Sequence, residues 1–194
     1  MTGLLAGTDA RPRRSLVLAG GGMRVAWQAG VVSALEDAGL QFAHVDGASG
    51  GTMTTGMLLS GLSPAQMVQR WTTLDVHGFS ALLPLTDYLR GPAQLPALGD
   101  ASGVRDKVFP HLGIDLDAVR SATGRTGTVG TFNVCDFTAK TCVAMPNDEM
   151  TLDLLVAAVS LPLVMPAVTH DGRTYTDAVW IKDANVLEAV RRGA

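Results

Sequence analysis

The chain predicts an α/β protein, a three-layer α/β/α sandwich around a central, mainly parallel sheet. Three observations carry this. Near its start a short apolar, β-prone run twice passes through a glycine-rich turn into a helical segment, the order that lays helices over a parallel sheet. Later in the chain, β-prone runs alternate with turn signals and add antiparallel hairpins. Finally, 194 residues that are 47% hydrophobic and 17% charged suffice for one sizeable core, so a single domain is expected and disorder is excluded.

Residues 15–19 form the first apolar run, which ends in Gly20, Gly21 and Gly22. Beyond it Trp27, Val31, Ala34 and Leu35 recur at helical spacing up to Gly39, placed to end the helix. Residues 42–46 read as a second strand, which Gly47-Ala48-Ser49-Gly50-Gly51 turns into a helix reaching about Ser60. A third helix opens at Ser63, with Pro64 at its first position and Gln66 completing a capping box, and runs to about Thr72. Residues 74–99 hold several prolines and leucines without a sustained period and read as an irregular excursion. Short helices are expected over 104–109 and 116–122, and a β pattern resumes over 126–135, with Cys135 and Cys142 flanking a hairpin. Thr151 caps a helix over 151–159, and a strand over 164–169 turns at Asp171-Gly172 into 173–176.

Composition removes several function classes. Fifteen Lys and Arg against eighteen Asp and Glu give a net charge of −3, which supplies no basic field for a nucleic-acid backbone. Two cysteines make neither a disulfide scaffold, a zinc ligand set nor a CxxC pair, and a reducing compartment fits them. Residues 47–69 are uncharged but broken by glycines, hydroxyls and Pro64, and residues 154–170 hold Pro162 and Pro166, so neither stretch reads as a membrane span. The apolar run after Arg11, Arg13 and Arg14 is too short for a signal peptide. The expectation is a cytoplasmic protein with at most peripheral membrane contact.

Gly47-Ala48-Ser49-Gly50-Gly51 matches GxSxG between a strand and a helix, the context in which a nucleophile elbow lifts a serine out of the chain. The amide of Gly50, at the helix start, would face an anionic intermediate. The alternative is a glycine-rich cap with Ser49 as an ordinary capping hydroxyl. Gly20-Gly21-Gly22, followed by Met23-Arg24, also admits two readings. As a dinucleotide fingerprint it has Val25 where a glycine belongs and only Asp46 as the acid ending the second strand. As an oxyanion hole it needs only exposed amides beside the nucleophile, and this reading uses both loops. His44, His77, His111 and His170 have no setting that marks a general base, His170 being the best of the four.

Taken together in this order, Gly20-Gly21-Gly22-Met23-Arg24, Gly47-Ala48-Ser49-Gly50-Gly51 and Tyr175-Thr176-Asp177-Ala178 resemble the motifs of patatin-like phospholipases. The likeness runs from about Ser15 to Asn185 and includes Ser160-Leu161-Pro162-Leu163 and Pro166-Ala167-Val168. It implies a patatin-like hydrolase fold that works without histidine through a Ser-Asp dyad, Ser49 and Asp177. Gly20, Gly21, Gly22 and Gly50 would form the oxyanion hole, and Arg24 would lend positive potential to the loop. The family has glycine after its basic residue and after its aspartate, where this chain has Val25 and Ala178. Asp171-Gly172 supplies a literal Asp-Gly pair, but as a hairpin turn.

The expected activity is therefore carboxylic ester hydrolysis on lipid or phospholipid through an acyl-enzyme, with no cofactor and no metal. Two other readings stand beside it: a nucleotide-binding Rossmann-like domain, and a catalytically silent lipid-binding domain. The expected organisation is a flexible extension over residues 1–14 and one domain over 15–194, truncated where the family supplies a further strand. The leucine-rich excursion over 74–99 is expected either to pack on the core or to act as a lid that meets lipid.

Overall fold

The glycine turns impose the order of the first elements. In the computed structural model, which describes residues 13–75, 81–83, 85–89, 95 and 97–194, β1 (Ser15–Leu18) ends at the glycine loop. The loop winds through a 3-10 turn, Gly22–Ala26, into α1 (Trp27–Asp37). β2 (His44–Ala48) ends at Ser49, the N-cap of α2 (Gly50–Leu59), a helix buried along its whole length. α3 (Pro64–Thr72) opens with the expected capping box: the Gln66 amide donates to Ser63 Oγ at 3.3 Å and the Ser63 amide to Gln66 Oε1 at 2.8 Å.

Of the irregular excursion, β3 (Ala81–Leu82), α4 (Leu85–Tyr88) and β4 (Gly99–Asp100) are described, with β3 antiparallel to β4. Residues 76–80, 84, 90–94 and 96 lie outside the described residues, as do residues 1–12 of the expected extension. A π-helical turn, Val104–Val108, leads into α5 (Phe109–Leu112) and then α6 (Leu116–Thr126). β5 (Val129–Asp136) and β6 (Thr141–Pro146) form the hairpin foreseen around the cysteines, with Cys135 and Cys142, both free, directly opposite. α7 (Leu152–Ala157) is capped by Thr151, and β7 (Val168–His170) turns into β8 (Arg173–Asp177). α8 (Val186–Arg191) is capped by Asn185.

One mixed sheet holds β1, β2, β5, β6, β7 and β8. β1, β2 and β5 run parallel, with β1 at the edge of the sheet; β6 and β8 pair antiparallel with β5, and β7 pairs antiparallel with β8. β6 occupies one edge of β5 over Thr131 to Asp136. The other edge is shared: β2 takes it from Val129 to Asn133 and β8 from Val134 to Asp136. β2 and β8 therefore meet end to end, Ala48 opposite Asn133 and Asp177 opposite Val134.

Helices cover both faces. Gly47 presses against Gly51 and Thr55 of α2, which fixes that helix on the face toward which odd residues of β2 point. On the opposite face the Asn185 side chain, at the head of α8, bonds Asn133, whose side chain shares a face with Asp46. The core between sheet and α2 holds Phe132, Met53, Met57 and Leu59, each fully buried and each worth about 2 kcal/mol in burial.

The structure corrects several expectations: α6 runs on to Thr126, so β5 starts at Val129 rather than 126, and the strand expected over 164–169 is confined to Val168–His170. The second strand starts and ends two residues later than the sequence pattern suggests, so it runs up to the elbow. In α1 the buried residues are Gln28, Ala29 and Val32, whereas Trp27 and Val31 are exposed. The cause is Gln28, whose amide donates to the Ala19 carbonyl at 2.9 Å and accepts the Thr54 hydroxyl at 2.7 Å, rotating the helix about its axis.

Candidate active site

Ser49 stands between the last residue of β2 and the first of α2, at φ 51 and ψ −124. That conformation is uncommon and costly for a residue with a Cβ, and it sets the side chain apart from both strand and helix. The glycines around it leave no room for side chains. A Cβ on Gly50 would lie 2.6 Å from the Gly22 carbonyl oxygen, one on Gly47 would lie 2.7 Å from that of Gly51, and one on Gly51 would overlap the Leu18 carbonyl. The motif spacing is thus a packing requirement: α2 starts in direct contact with β1 and the glycine loop.

Asp177 ends β8 and is 1% exposed. Its Oδ1 accepts the Val179 amide at 2.8 Å, and its own amide donates to the Ser160 carbonyl at 3.0 Å. Burial raises the carboxyl from 3.8 to about 6, opposed by the Ser49 hydroxyl and the Val179 amide and reinforced by the charge of Asp183. The Ser49 hydroxyl is close enough to lower the pKa, yet the buried Oδ2 has no partner of regular hydrogen-bond geometry.

The glycine loop lies against this pair. A Cβ on Gly20 would sit 2.8 Å from the Ser49 Cβ and 2.6 Å from Asp183 Oδ1. Of the donors expected from sequence, the Gly20 amide is already engaged, donating to Asp183 Oδ1 at 2.9 Å. Gly22 has φ 58, and Gly50 occupies the first turn of α2, where amides have no intrahelical acceptor. Arg24 is exposed and turns back on the loop, its Nε donating to the Gly21 carbonyl at 3.4 Å. Val25 is buried, its methyls meeting the Cβ position of Gly50, so the branched residue fills the space between loop and elbow. Ala178 is likewise fully buried.

Sequence reasoning missed Gln28, which ties the end of β1 to α2 through the two bonds described above. It also missed a buried polar network beneath the elbow. The Asn133 amide donates to Asp46 Oδ1 at 2.7 Å and to the Gly47 carbonyl at 3.0 Å, and its oxygen accepts the Asn185 amide at 2.7 Å. The Thr131 hydroxyl donates to Asp46 Oδ2 at 2.5 Å and lies 2.8 Å from His44 Nε2. Burial raises Asp46 to about 6 and lowers His44 to about 4. Asp46, the acid a dinucleotide would need for its ribose, is thus sealed beneath the sheet.

The remaining titratable candidates are committed elsewhere. His44 is bonded to Ser15 and Thr131, the His111 Nε2 lies 3.0 Å from the Arg70 carbonyl, and the His170 Nε2 lies 3.6 Å from the carboxylate of the adjacent Asp171. His77 lies outside the described residues. Asp171 and Gly172 have φ 47 and 73, the two positive values of a tight hairpin turn, and the Asp171 carboxylate is exposed. Among the described residues no cluster of His, Cys, Asp or Glu fits a metal ion. No helix there is long and apolar enough to cross a membrane.

A cleft of about 310 Å³ is lined by Cys135, Phe137, Pro162, Leu163, Thr176, Trp180 and Ile181 and touches Asp177, but Ser49 is not part of its lining. A family model described as patatin-like phospholipase matches residues 16–190. Among solved structures, VipD from Legionella pneumophila is similar with a TM-score of 0.60 and 14% identity, over 94% of this chain and 50% of that one. The likeness at this identity is one of fold, and the chain spans half the length of VipD. No curated protein matches.

Proposed function

Because the chain belongs to the patatin-like phospholipase family, we propose that it is a serine acyl hydrolase that cleaves lipid esters through Ser49 and Asp177. The observation that carries this reading is the meeting of β2 and β8 on one edge of β5, with a strained serine facing a buried carboxyl. In the proposed reaction Asp177 Oδ2 takes the Ser49 proton as Oγ attacks the ester carbonyl. The amides of Gly21, Gly22 and Gly50 receive the oxyanion, while Gly20 holds the loop through Asp183. The proton passes to the leaving alcohol, and water activated by the same carboxylate then releases the acyl group from Ser49. Raised basicity suits Asp177 to the task, since a carboxylate near its ordinary value is a weak base at neutral pH.

Fluorophosphonate labelling tests the assignment. Ser49 is expected to be the labelled residue, Ser49→Ala to lose both label and ester turnover, and Asp177→Asn to react about a hundredfold more slowly or worse. Turnover by Ser49→Ala, or label on another serine, would overturn the assignment. A folded protein neither labelled nor active would replace it with a silent lipid-binding domain.

A further inference from the structure

The β5–β6 hairpin sets the two cysteines of the chain opposite one another: Cys135 and Cys142 are register partners, with residues 136–141 between them. Both are free thiols. Their side chains lie on one face of the sheet. The Cys142 thiol donates to Asn133 Oδ1 at 3.8 Å, and Cys135, two places along β5 from Asn133, points to the same side. Residues directly opposite in an antiparallel pair have Cα atoms about 4.5 or about 5.5 Å apart. Both separations fall within the range of roughly 4.4–6.8 Å that a disulfide spans.

Two further observations bear on the pair. Burial raises the Cys142 thiol above its ordinary value, opposed by Lys182 and reinforced by Asp46, Cys135 and Glu188, so the two sulfurs are near enough to interact. Cys135 also lines the cleft described above, whereas Cys142, half-buried, is not part of its lining. A small solute that enters the cleft therefore meets Cys135 first. A single buried cysteine is an ordinary apolar residue, but two that share a face across one hairpin have a bond within reach.

We propose that Cys135 and Cys142 are a reversible redox pair, which hydrogen peroxide converts into a disulfide stapling β5 to β6. The Cys135 thiolate attacks one peroxide oxygen, the O–O bond breaks, and hydroxide leaves and takes up the thiol's proton as water, so that Cys135 holds a sulfenic acid. A turn about its Cα–Cβ bond carries the Cys142 sulfur from Asn133 to Cys135. There it attacks the sulfenic sulfur, the S–S bond forms, and the hydroxyl departs with the Cys142 proton as a second water. Two thiols are oxidised to one disulfide and one peroxide is reduced to water. Asn133 keeps its bonds to Asp46, Gly47 and Asn185, so the network beneath the elbow survives the change. The staple sits where β8 joins the other edge of β5, with Cys135 opposite Thr176.

Treating the full chain with stoichiometric hydrogen peroxide tests this, read by intact mass, tryptic mapping and thermal melting. The parent should lose the mass of two hydrogen atoms. Cleavage after Lys140 leaves the cysteines on separate peptides, so a linked pair reports the bond directly. The oxidised protein should melt roughly 5 °C higher, because the cross-link narrows the unfolded ensemble, and a thiol reductant should restore the original curve. Cys142→Ser should instead gain oxygen on Cys135 and show no such rise. Ser49→Ala should oxidise like the parent, since the pair is independent of the proposed hydrolase site. Oxygen added to both cysteines without a linked peptide, a disulfide joining two copies of the chain, or two thiols that persist would each overturn the pair. A linked protein that melts no higher would overturn the staple.

Discussion

If Asp177 is the base that activates Ser49, its protonation controls acylation, and the structure sets the pH at which control passes. The carboxyl is held at about 6 instead of 3.8. That difference of about 2 units corresponds to about 3 kcal/mol against the charged form. Acylation should fall as pH drops through about 6, to roughly a tenth of its plateau at pH 5, and stand near nine tenths at pH 7. Asp46 is raised to about 6 as well, so the parent profile alone does not tell the two apart. Asp46→Asn separates them. Its retained oxygen keeps the Asn133 donor, and its new amide can donate to a Thr131 hydroxyl that turns toward His44. The rate profile of this variant should keep its acid limb near 6. Its stability should change in a definite sense. Asp46 has a folded pKa above its unfolded one, so its contribution to stability is present below about 3.8 and lost as pH rises through about 6. The variant should therefore gain most over the parent at pH 8 and least at pH 4, by at most about 3 kcal/mol. The assay is the burst of a soluble chromogenic ester, with circular dichroism at each pH to confirm folding. A rate that stays flat to pH 4.5 in folded protein, or an acid limb that vanishes with Asp46→Asn, would refute the role of Asp177.

Three further outcomes follow from contacts near the elbow. Gly51→Ala drives a methyl into the Leu18 carbonyl and should cost about 2 kcal/mol or more in urea unfolding. Gln28→Ala strands the Ala19 carbonyl and the Thr54 hydroxyl and should cost about 2–4 kcal/mol, with slower fluorophosphonate labelling because the loop loses its tie to α2. Asp171→Asn keeps a residue that tolerates positive φ in an exposed turn, so stability should shift by less than about 0.5 kcal/mol and ester turnover should persist.

The elbow was legible in the sequence because Gly47, Gly50 and Gly51 are demanded by local crowding, and a spacing of glycines around one serine records that crowding directly. The β7–β8 turn was legible for a similar reason, since Asp171-Gly172 is the residue pair such a turn needs. The phase of α1 was not. Trp27 and Val31 look like a buried stripe, and nothing in a hydrophobic pattern announces that a glutamine will displace them by finding partners on two distant elements. Asn133 and Thr131 were invisible in the same way, because their partner Asp46 arrives only when β2 and β5 pair. The commitment of the Gly20 amide to Asp183 likewise depends on how the chain turns after β8.

If Ser49 and Asp177 act together as proposed, the end-to-end meeting of β2 and β8 also makes activity a report on assembly. Ser49 is anchored early in the chain among parallel strands, whereas Asp177 rides on a hairpin joined to β5 over three residue pairs. Such a hairpin is the kind of unit that opens below the free energy of global unfolding. Each opening would carry the carboxyl off while leaving the serine, the glycine loop and α2 in position. The protein would then lapse into silence on warming before it melts, and during its own synthesis it would stay inert until β8 had docked.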